Sequence, residues 1–251
     1  EVAMAETRNL ILEIGTEEIP ARFCAPALEQ LKANAARVLE EARLDYELVD
    51  VFGTPRRLVL YVRNLAVRQR DVVMEVKGPP KKIAFDAEGN PTVPARKFAE
   101  GQGVAVEDLE VRPDEKGGEY LYARKLITGE PVETVLPPLL SGLVTSIHWP
   151  KAMRWADREI RYARPIKWIL AMLGDWRVPF DVDGIETVNT TRGHRVLGPA
   201  EPIQVKDADD YFVKVNGAYV MVDQGARKQD IWHQVTAAAA RLGGHVRRGE
   251  D

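Results

Sequence analysis

The sequence predicts an α+β fold of mixed, largely antiparallel sheets with packed helices. Three observations carry that class. Short aliphatic runs of strand character end at Gly or Pro turns. Stretches with helical spacing fall irregularly among them. Two strand-like runs, Leu109–Val111 and Glu119–Ile127, flank the turn Asp114-Glu-Lys-Gly-Gly118, a hairpin signature.

Taken in order, Asn9-Leu-Ile-Leu-Glu-Ile-Gly15 reads as a buried strand, and Thr16 as the cap of a helical turn. Glu13, Glu17 and Glu18 are available to a metal ion, although solvated acids and caps explain them as well. From Pro26 to Arg43 the residues Leu28, Leu31, Ala35, Val38, Leu39 and Ala42 keep helical spacing and form one apolar face. Leu48–Phe52 and Arg56–Val62 read as strands joined by Gly53-Thr54-Pro55. That places Arg56 and Arg57 at a strand entrance, suited to a bidentate phosphate contact or to salt bridges with nearby acids. Val72–Val76 reads as another strand, Lys77-Gly-Pro-Pro-Lys-Lys82 as a stiff basic connector, and Asp86–Asn90 as a turn. Thr92–Gly101 is a short helix. A second amphipathic helix runs from Glu130-Pro131 to about Ser146. Trp168–Leu173, Val178–Val182 and Ala218–Val222 read as strands, Thr191–Val196 as strand or loop, and Asp207–Phe212 and Gln224–Leu242 as helices. Ile231, Val235, Ala238, Ala239 and Leu242 lie on one face of the last. Residues 1–6 are set aside as a leader or added residues, 7–130 form an amino-terminal subdomain, and 131–251 form a second subdomain, truncated at its end.

A chain of 251 residues with 45% hydrophobic and 29% charged side chains has ordinary globular composition and can bury a substantial core. Its net charge of −3 excludes a wholesale nucleic-acid binder, so any polyanion site must be a local patch. The single cysteine, Cys24, excludes an internal disulfide and fits a reducing, cytoplasmic setting. Cys24 also falls at a helix start, where a lowered thiol pKa is available. No apolar run approaches the length of a membrane span.

The patch lies between His148 and Arg195. From Ile147 to Trp168 the chain carries six Lys or Arg residues against Asp157 and Glu159, with Trp149, Trp155 and Trp168 interleaved. Cations alternating with flat aromatics suit phosphate contact and base stacking, or a Trp core rimmed by solvated charge. Lys151, Arg154, Trp155 and Arg164 are the candidates there. Further on, Arg192 and Arg195 bracket Gly193 and His194. The glycine offers a phosphate a close backbone approach, and the imidazole suits hydrogen bonding to an anion or base more than metal binding. Arg56 and Arg57 complete the candidate set, with no catalytic or metal residue assigned. No phosphate loop, dinucleotide fingerprint, zinc helix or nucleophile elbow occurs in the sequence.

Several stretches stand in register with one family. These are Glu13-Ile-Gly-Thr-Glu-Glu-Ile-Pro20, Thr54-Pro-Arg-Arg-Leu58, Lys77-Gly-Pro79 with Ala84-Phe-Asp-Ala-Glu-Gly-Asn-Pro-Thr92, Pro150-Lys-Ala-Met-Arg-Trp155, Arg164-Pro-Ile-Lys-Trp168 and Thr191-Arg-Gly-His-Arg195. Their order resembles the beta subunits of bacterial-type, heterotetrameric glycyl-tRNA synthetases, from about Leu10 to Gly244. Trp149 and Val196 depart from the family pattern at the edges of two motifs. The resemblance implies a part in ATP-dependent attachment of glycine to tRNA(Gly) by two alpha and two beta subunits. It implies ATP and Mg at the alpha subunit, no cofactor in this chain, and the alpha subunit and tRNA(Gly) as partners, without a membrane. It further implies a fold like the editing-module-like domain of the phenylalanyl-tRNA synthetase beta chain, in an amino-terminal fragment that is inactive alone. Three roles follow for the region: a tRNA-binding and assembly module, a structural scaffold, or an editing-like hydrolytic domain.

Overall fold

The structure, a computed structural model, describes residues 6–114 and 117–247, so most of the leader assigned to residues 1–6 lies outside the described residues. The chain divides into two compact units, one running to Arg68 and resuming at Pro131, the other comprising Gln69–Glu130. That differs from two consecutive subdomains cut at 130/131. The cut would separate strands that pair side by side in one sheet.

In the first unit, β1 (Thr7–Thr16) leads into α1 (Ala21–Glu41), then β2 (Leu48–Thr54) and β3 (Arg57–Ala66). In the second unit, β4 (Val72–Pro80), α2 (Lys81–Ala84), α3 (Val93–Gln102), β5 (Glu110–Pro113) and β6 (Glu119–Ile127) follow. The strands form an antiparallel sheet ordered β4-β6-β5. Its small core gathers Ala84, Ala95 and Leu121, with Phe85, Phe98 and Leu109 packed against them. β4 continues through the basic Gly-Pro-Pro stretch expected to be a connector. It lies at a sheet edge and its register shifts before Pro80, which is where prolines are tolerated in a strand.

The chain then returns to the first unit through α4 (Val132–Thr145), β7 (Met153–Arg154), β8 (Arg161–Tyr162) and β9 (Ile166–Leu173). Short segments follow: β10 (Trp176–Arg177), β11 (Asp181–Val182), β12 (Ile185–Val188), β13 (Thr190–Thr191) and β14 (Ile203–Gln204). The helices α5 (Asp210–Gly217) and α6 (Gln224–Arg241) come last. Among the described residues the main sheet has seven strands in the order β11-β12-β9-β1-β3-β2, with β10 hairpinned onto β9. β12 runs parallel to β9, while the other neighbours are antiparallel.

Helices cover both faces of this sheet, which explains why β1 reads as an almost unbroken apolar run. Leu10, Leu12 and Ile14 of β1, Leu58, Leu60 and Val62 of β3, and Ile169, Ala171 and Leu173 of β9 point to the side packed by α1 and α4. The intervening Ile11, Val59, Tyr61, Leu170 and Met172 meet Val205, Ala208, Tyr211 and Val215 on the α5 side. Period-two alternation therefore assigns the remaining residues of β1 as well: Glu13 and Gly15 face α5.

Several elements differ from the sequence expectation, each for a local reason. α1 begins five residues before Pro26 because Phe23 and Ala27 belong to its buried face, while the proline sits on the exposed side of an early turn. Thr16 ends β1 and caps no helix: its hydroxyl is buried without a hydrogen-bond partner, and Pro20 precedes α1. The Val178–Val182 strand is broken, with Val178 bonded to Ala171 and pairing resumed only at Asp181. Ala218–Val222 is not a strand but the exit from α5. No residue of α6 is buried; Ile231 and Val235 remain exposed.

Gly15 lies opposite Trp168 in the β1–β9 register, and a Cβ there would fall 2.0 Å from the indole Cε2. The ring rests on the space a side chain would fill. Gly15→Ala should therefore displace the indole and destabilise the fold by about 2–3 kcal/mol, a fall of roughly 4–12 °C in melting temperature for a chain this size. Trp168→Leu in the same chain should recover part of the loss. An unchanged melting curve for Gly15→Ala would show that the ring does not occupy this position.

Candidate nucleic-acid interface

A polar centre lies at the end of the α5 side of the sheet, where β1 and β3 hold Glu13 and Arg57. The Arg57 Nη1 atom is 3.0 Å from Glu13 Oε1, with side-chain exposures of 3% and 0%. Thr191 donates its hydroxyl to Glu13 Oε2 at 2.6 Å, and Arg57 Nη2 donates to the Arg192 carbonyl at 2.9 Å. Arg57 Nε and Nη1 and Glu13 Oε1 lack a well-aligned hydrogen bond, so the charges are close but imperfectly saturated. The Tyr211 hydroxyl lies in the same centre. Burial first, and then the Glu13 carboxylate, push its pKa well above the ordinary phenol value.

These bonds hold segment 190–198 against the sheet. The His194 amide donates to the Ala218 carbonyl at 2.9 Å and the Gly198 amide to the His194 carbonyl at 2.9 Å. His194 Nδ1 accepts from the Val196 and Leu197 amides at 3.2 and 3.1 Å, an arrangement that assigns the hydrogen of the neutral ring to Nε2. Gly193 is buried here, and a Cβ on it would meet the Ala218 Cβ at 2.9 Å. Its bare backbone therefore serves packing against Ala218, rather than the phosphate approach expected from the sequence.

Between this segment, the β2–β3 turn and the α5 exit lies a cleft of about 430 Å³. Arg56, Arg57, Arg195 and Arg227 line it against a single lining carboxylate, Glu18, with Val196, Tyr219 and Met221 as apolar walls. The cleft thus joins Arg56, Arg57, His194 and Arg195 from the candidate set. Arg195 bonds Glu17 at 2.9 Å and approaches Glu18 at 3.1 Å, while Arg56 stands 3.8 Å from Glu18 and Lys167 3.8 Å from Glu17. Glu13, Glu17 and Glu18 therefore face guanidinium and ammonium groups. Among the described residues, no three His, Cys, Asp or Glu side chains form a metal-holding group.

The other candidates are dispersed. Arg192 lies 5.8 Å from the Trp168 ring centroid, as does Arg57, so the indole serves two cations rather than a base. Arg164 donates from Nε to the Glu18 carbonyl at 2.9 Å and anchors the loop after β1. Arg154 pairs with Glu159 at 3.0 Å on an exposed hairpin, and Lys151 is exposed nearby. Trp155 donates Nε1 to the Tyr162 carbonyl at 3.0 Å and packs against the core, as does Trp149, whose ring meets Tyr162 edge-on at 4.9 Å. Trp168 is buried, while Trp149 and Trp155 are partly buried against the core. Cys24 is half-buried, and burial raises its thiol pKa instead of lowering it.

Tyr219, Met221 and Arg227 were not singled out by the sequence. They reach the cleft because α5 ends where it does, and a strand reading of 218–222 conceals that.

The motif order points to the same family as the comparisons with known proteins. A family model described as the glycyl-tRNA synthetase beta subunit matches residues 10–251. This chain belongs to the glycyl-tRNA synthetase beta subunit family. The glycine–tRNA ligase beta subunit of Moorella thermoacetica is 50% identical over 241 residues, covering 96% of this chain and 34% of that protein. Its counterparts in Desulforamulus reducens and Bacillus subtilis are 46% and 41% identical over 244 residues, covering 97% of this chain and 35% of each. The chain spans about a third of the length of these relatives. No helix among its described residues is long and apolar enough to cross a membrane.

Because Glu13 and Arg57 are both buried, removing either strands the other's charge. Glu13→Leu or Arg57→Met should each cost about 3–5 kcal/mol, roughly 6–20 °C in melting temperature. The double replacement Glu13→Leu with Arg57→Met should be far less damaging than the sum of its parts. Strictly additive losses in a thermal-unfolding cycle would refute the pairing.

Proposed function

We propose that this region is a tRNA-binding and assembly module of a glycyl-tRNA synthetase beta subunit. It supports attachment of glycine to tRNA(Gly) in an assembly whose alpha subunit holds glycine, ATP and Mg. The carrying observation is the cleft, where Arg56, Arg195 and Arg227 stand beside apolar walls with Glu17 and Glu18 as the nearby carboxylates, and Arg57 is held by the buried Glu13. Guanidinium groups present several fixed N–H donors and match phosphate oxygens bidentately. A locally cationic site within a chain of net charge −3 concentrates that attraction at one place. The proposed contacts are Arg56 and Arg195 at the cleft, with Arg192, His194, Lys151 and Arg154 on the surrounding surface. Arg57 works from behind them, holding segment 190–195 in place, while Arg164 and Trp155 hold neighbouring loops.

A scaffold reading is favoured by a different observation: the motif residues Glu13, Arg57, Arg164 and Trp168 are occupied with one another or with backbone carbonyls. The two readings are compatible, since the inner residues of each motif brace the outer ones. Within the proposal, the mixed sheet corresponds to the editing-module-like domain of the phenylalanyl-tRNA synthetase beta chain, used for binding rather than hydrolysis. Its cleft carboxylate, Glu18, faces Arg195 and Arg56, which suits anchoring more than activation of a water.

A salt series of tRNA association with folded variants tests the reading. Arg56→Ala and Arg195→Ala should each weaken binding several-fold and flatten the plot of log affinity against log salt by about 0.7–0.9. The melting temperature of Arg195→Ala should stay within about 2 °C of the parent, because its ion pairs with Glu17 and Glu18 are exposed and contribute little to stability. Unchanged tRNA affinity in both variants would leave the region a scaffold.

A further inference from the structure

The residue at the mouth of the cleft is built against its own backbone preference. Tyr219 follows the C-cap of α5, its amide bonds to the Asn216 carbonyl at 3.1 Å, and the Val220 amide closes on the Val215 carbonyl at 2.9 Å. Its φ of 62° is the left-handed conformation in which helices usually place glycine. A bulky side chain there costs of order 1–2 kcal/mol, and such strain clusters where function retains it. Tyr219 is nonetheless 65% exposed and therefore gains little burial in return. Beside it, Val196 is exposed, Met221 partly so, and Arg56 Nε is buried without a hydrogen-bond partner. Behind the cleft, Arg57 is 2% exposed and has two unsatisfied N–H donors.

We propose that this cleft receives one unstacked nucleotide of a single-stranded RNA segment, with its base on the Tyr219 ring and its phosphate taking the place of the Glu18 carboxylate, which stands 3.8 Å from Arg56 and 3.1 Å from Arg195. The proposal rests on the reading that the arginine-lined cleft meets tRNA, and it adds which part of an RNA enters. A flat, displayed aromatic beside an apolar wall suits a base face, because every base has one. The arginines suit the phosphate that follows. Paired bases inside an A-form helix present no free face to a ring in a cleft, so single-stranded ends, loops and bulges are the matching class.

Anisotropy with a labelled six-nucleotide single-stranded RNA, competed by unlabelled blunt duplex RNA and by tRNA, tests the proposal. Tyr219→Gly relieves the left-handed strain, so its melting temperature should equal or exceed the parent's. Its affinity for the single strand should nevertheless fall at least about fivefold. Tyr219→Phe keeps the ring and should keep the affinity. The duplex should compete poorly. Single-strand affinity of Tyr219→Gly within about twofold of the parent, or equal competition by duplex, would overturn the proposal. If tRNA affinity falls in Arg56→Ala and Arg195→Ala while replacement of Tyr219 has no effect on the single strand, the nucleotide pocket is wrong and the tRNA reading stands. If no RNA binds the parent chain, both fail.

Discussion

The buried pair of Glu13 and Arg57 is the constraint on which the functional side of this molecule depends. Two charges withdrawn from water are tolerated only when their geometry and further hydrogen bonds offset the loss of solvation. Here the further bonds come from outside the sheet: the Thr191 hydroxyl reaches Glu13, and the Arg192 carbonyl receives Arg57. The charges on β1 and β3 are therefore answered only if segment 190–195 lies against them. A sheet built of local alternation thus dictates the position of a loop more than 130 residues away in sequence. Arg192, His194 and Arg195 inherit their placement from that demand.

The cleft follows from the same logic. Its walls come from the β2–β3 turn, from segment 193–196 and from the exit of α5, and none of these would form a concavity alone. Gly193 closes against Ala218 because it has no Cβ, which sets segment 193–196 against the α5 exit. Arg195 is aligned by the carboxylates of Glu17 and Glu18, while Arg164 holds the carbonyl of Glu18. The acids of the first motif are thus positioning groups for cations. Tyr219 shows the opposite balance, in which local stability is given up to display a ring. Natural proteins retain such residues where binding depends on them, and substitutions that relieve the strain commonly trade function for stability.

Much of the sheet and of α1 and α4 was legible because burial imposes a period of two on strands and 3.6 on helices, and both periods survive in the sequence. Leu10-Ile-Leu-Glu-Ile14 announces a strand with both faces covered, and Leu28, Leu31, Ala35 and Leu39 announce the inner face of α1. What periodicity does not encode is which distant segments meet. The same apolar run containing Glu13 gives no sign that its acid pairs with Arg57, and Val220 and Val222, read as strand, are core residues following a helix. The tryptophans show the same limit. Their spacing among cations suited base stacking, but Trp168 needed the empty space over Gly15, on a partner strand more than 150 residues earlier in the chain. Among the candidate residues, those brought to the cleft came from two separate motifs, Thr54–Leu58 and Thr191–Arg195, and only the fold joins them. The family resemblance was legible because such joined motifs keep their order in the chain.

Amide hydrogen exchange across the segment 190–198 tests most directly whether the buried pair positions the site. The decisive comparison is between the parent chain and the double variant Glu13→Leu with Arg57→Met, which removes both charges and strands neither. The account predicts that the protected amides of His194 and Gly198 exchange faster in the double variant while those of α1 remain as slow as in the parent. Unchanged protection at His194 and Gly198 would contradict it, showing that the segment is held by its own packing and owes nothing to the pair beneath it.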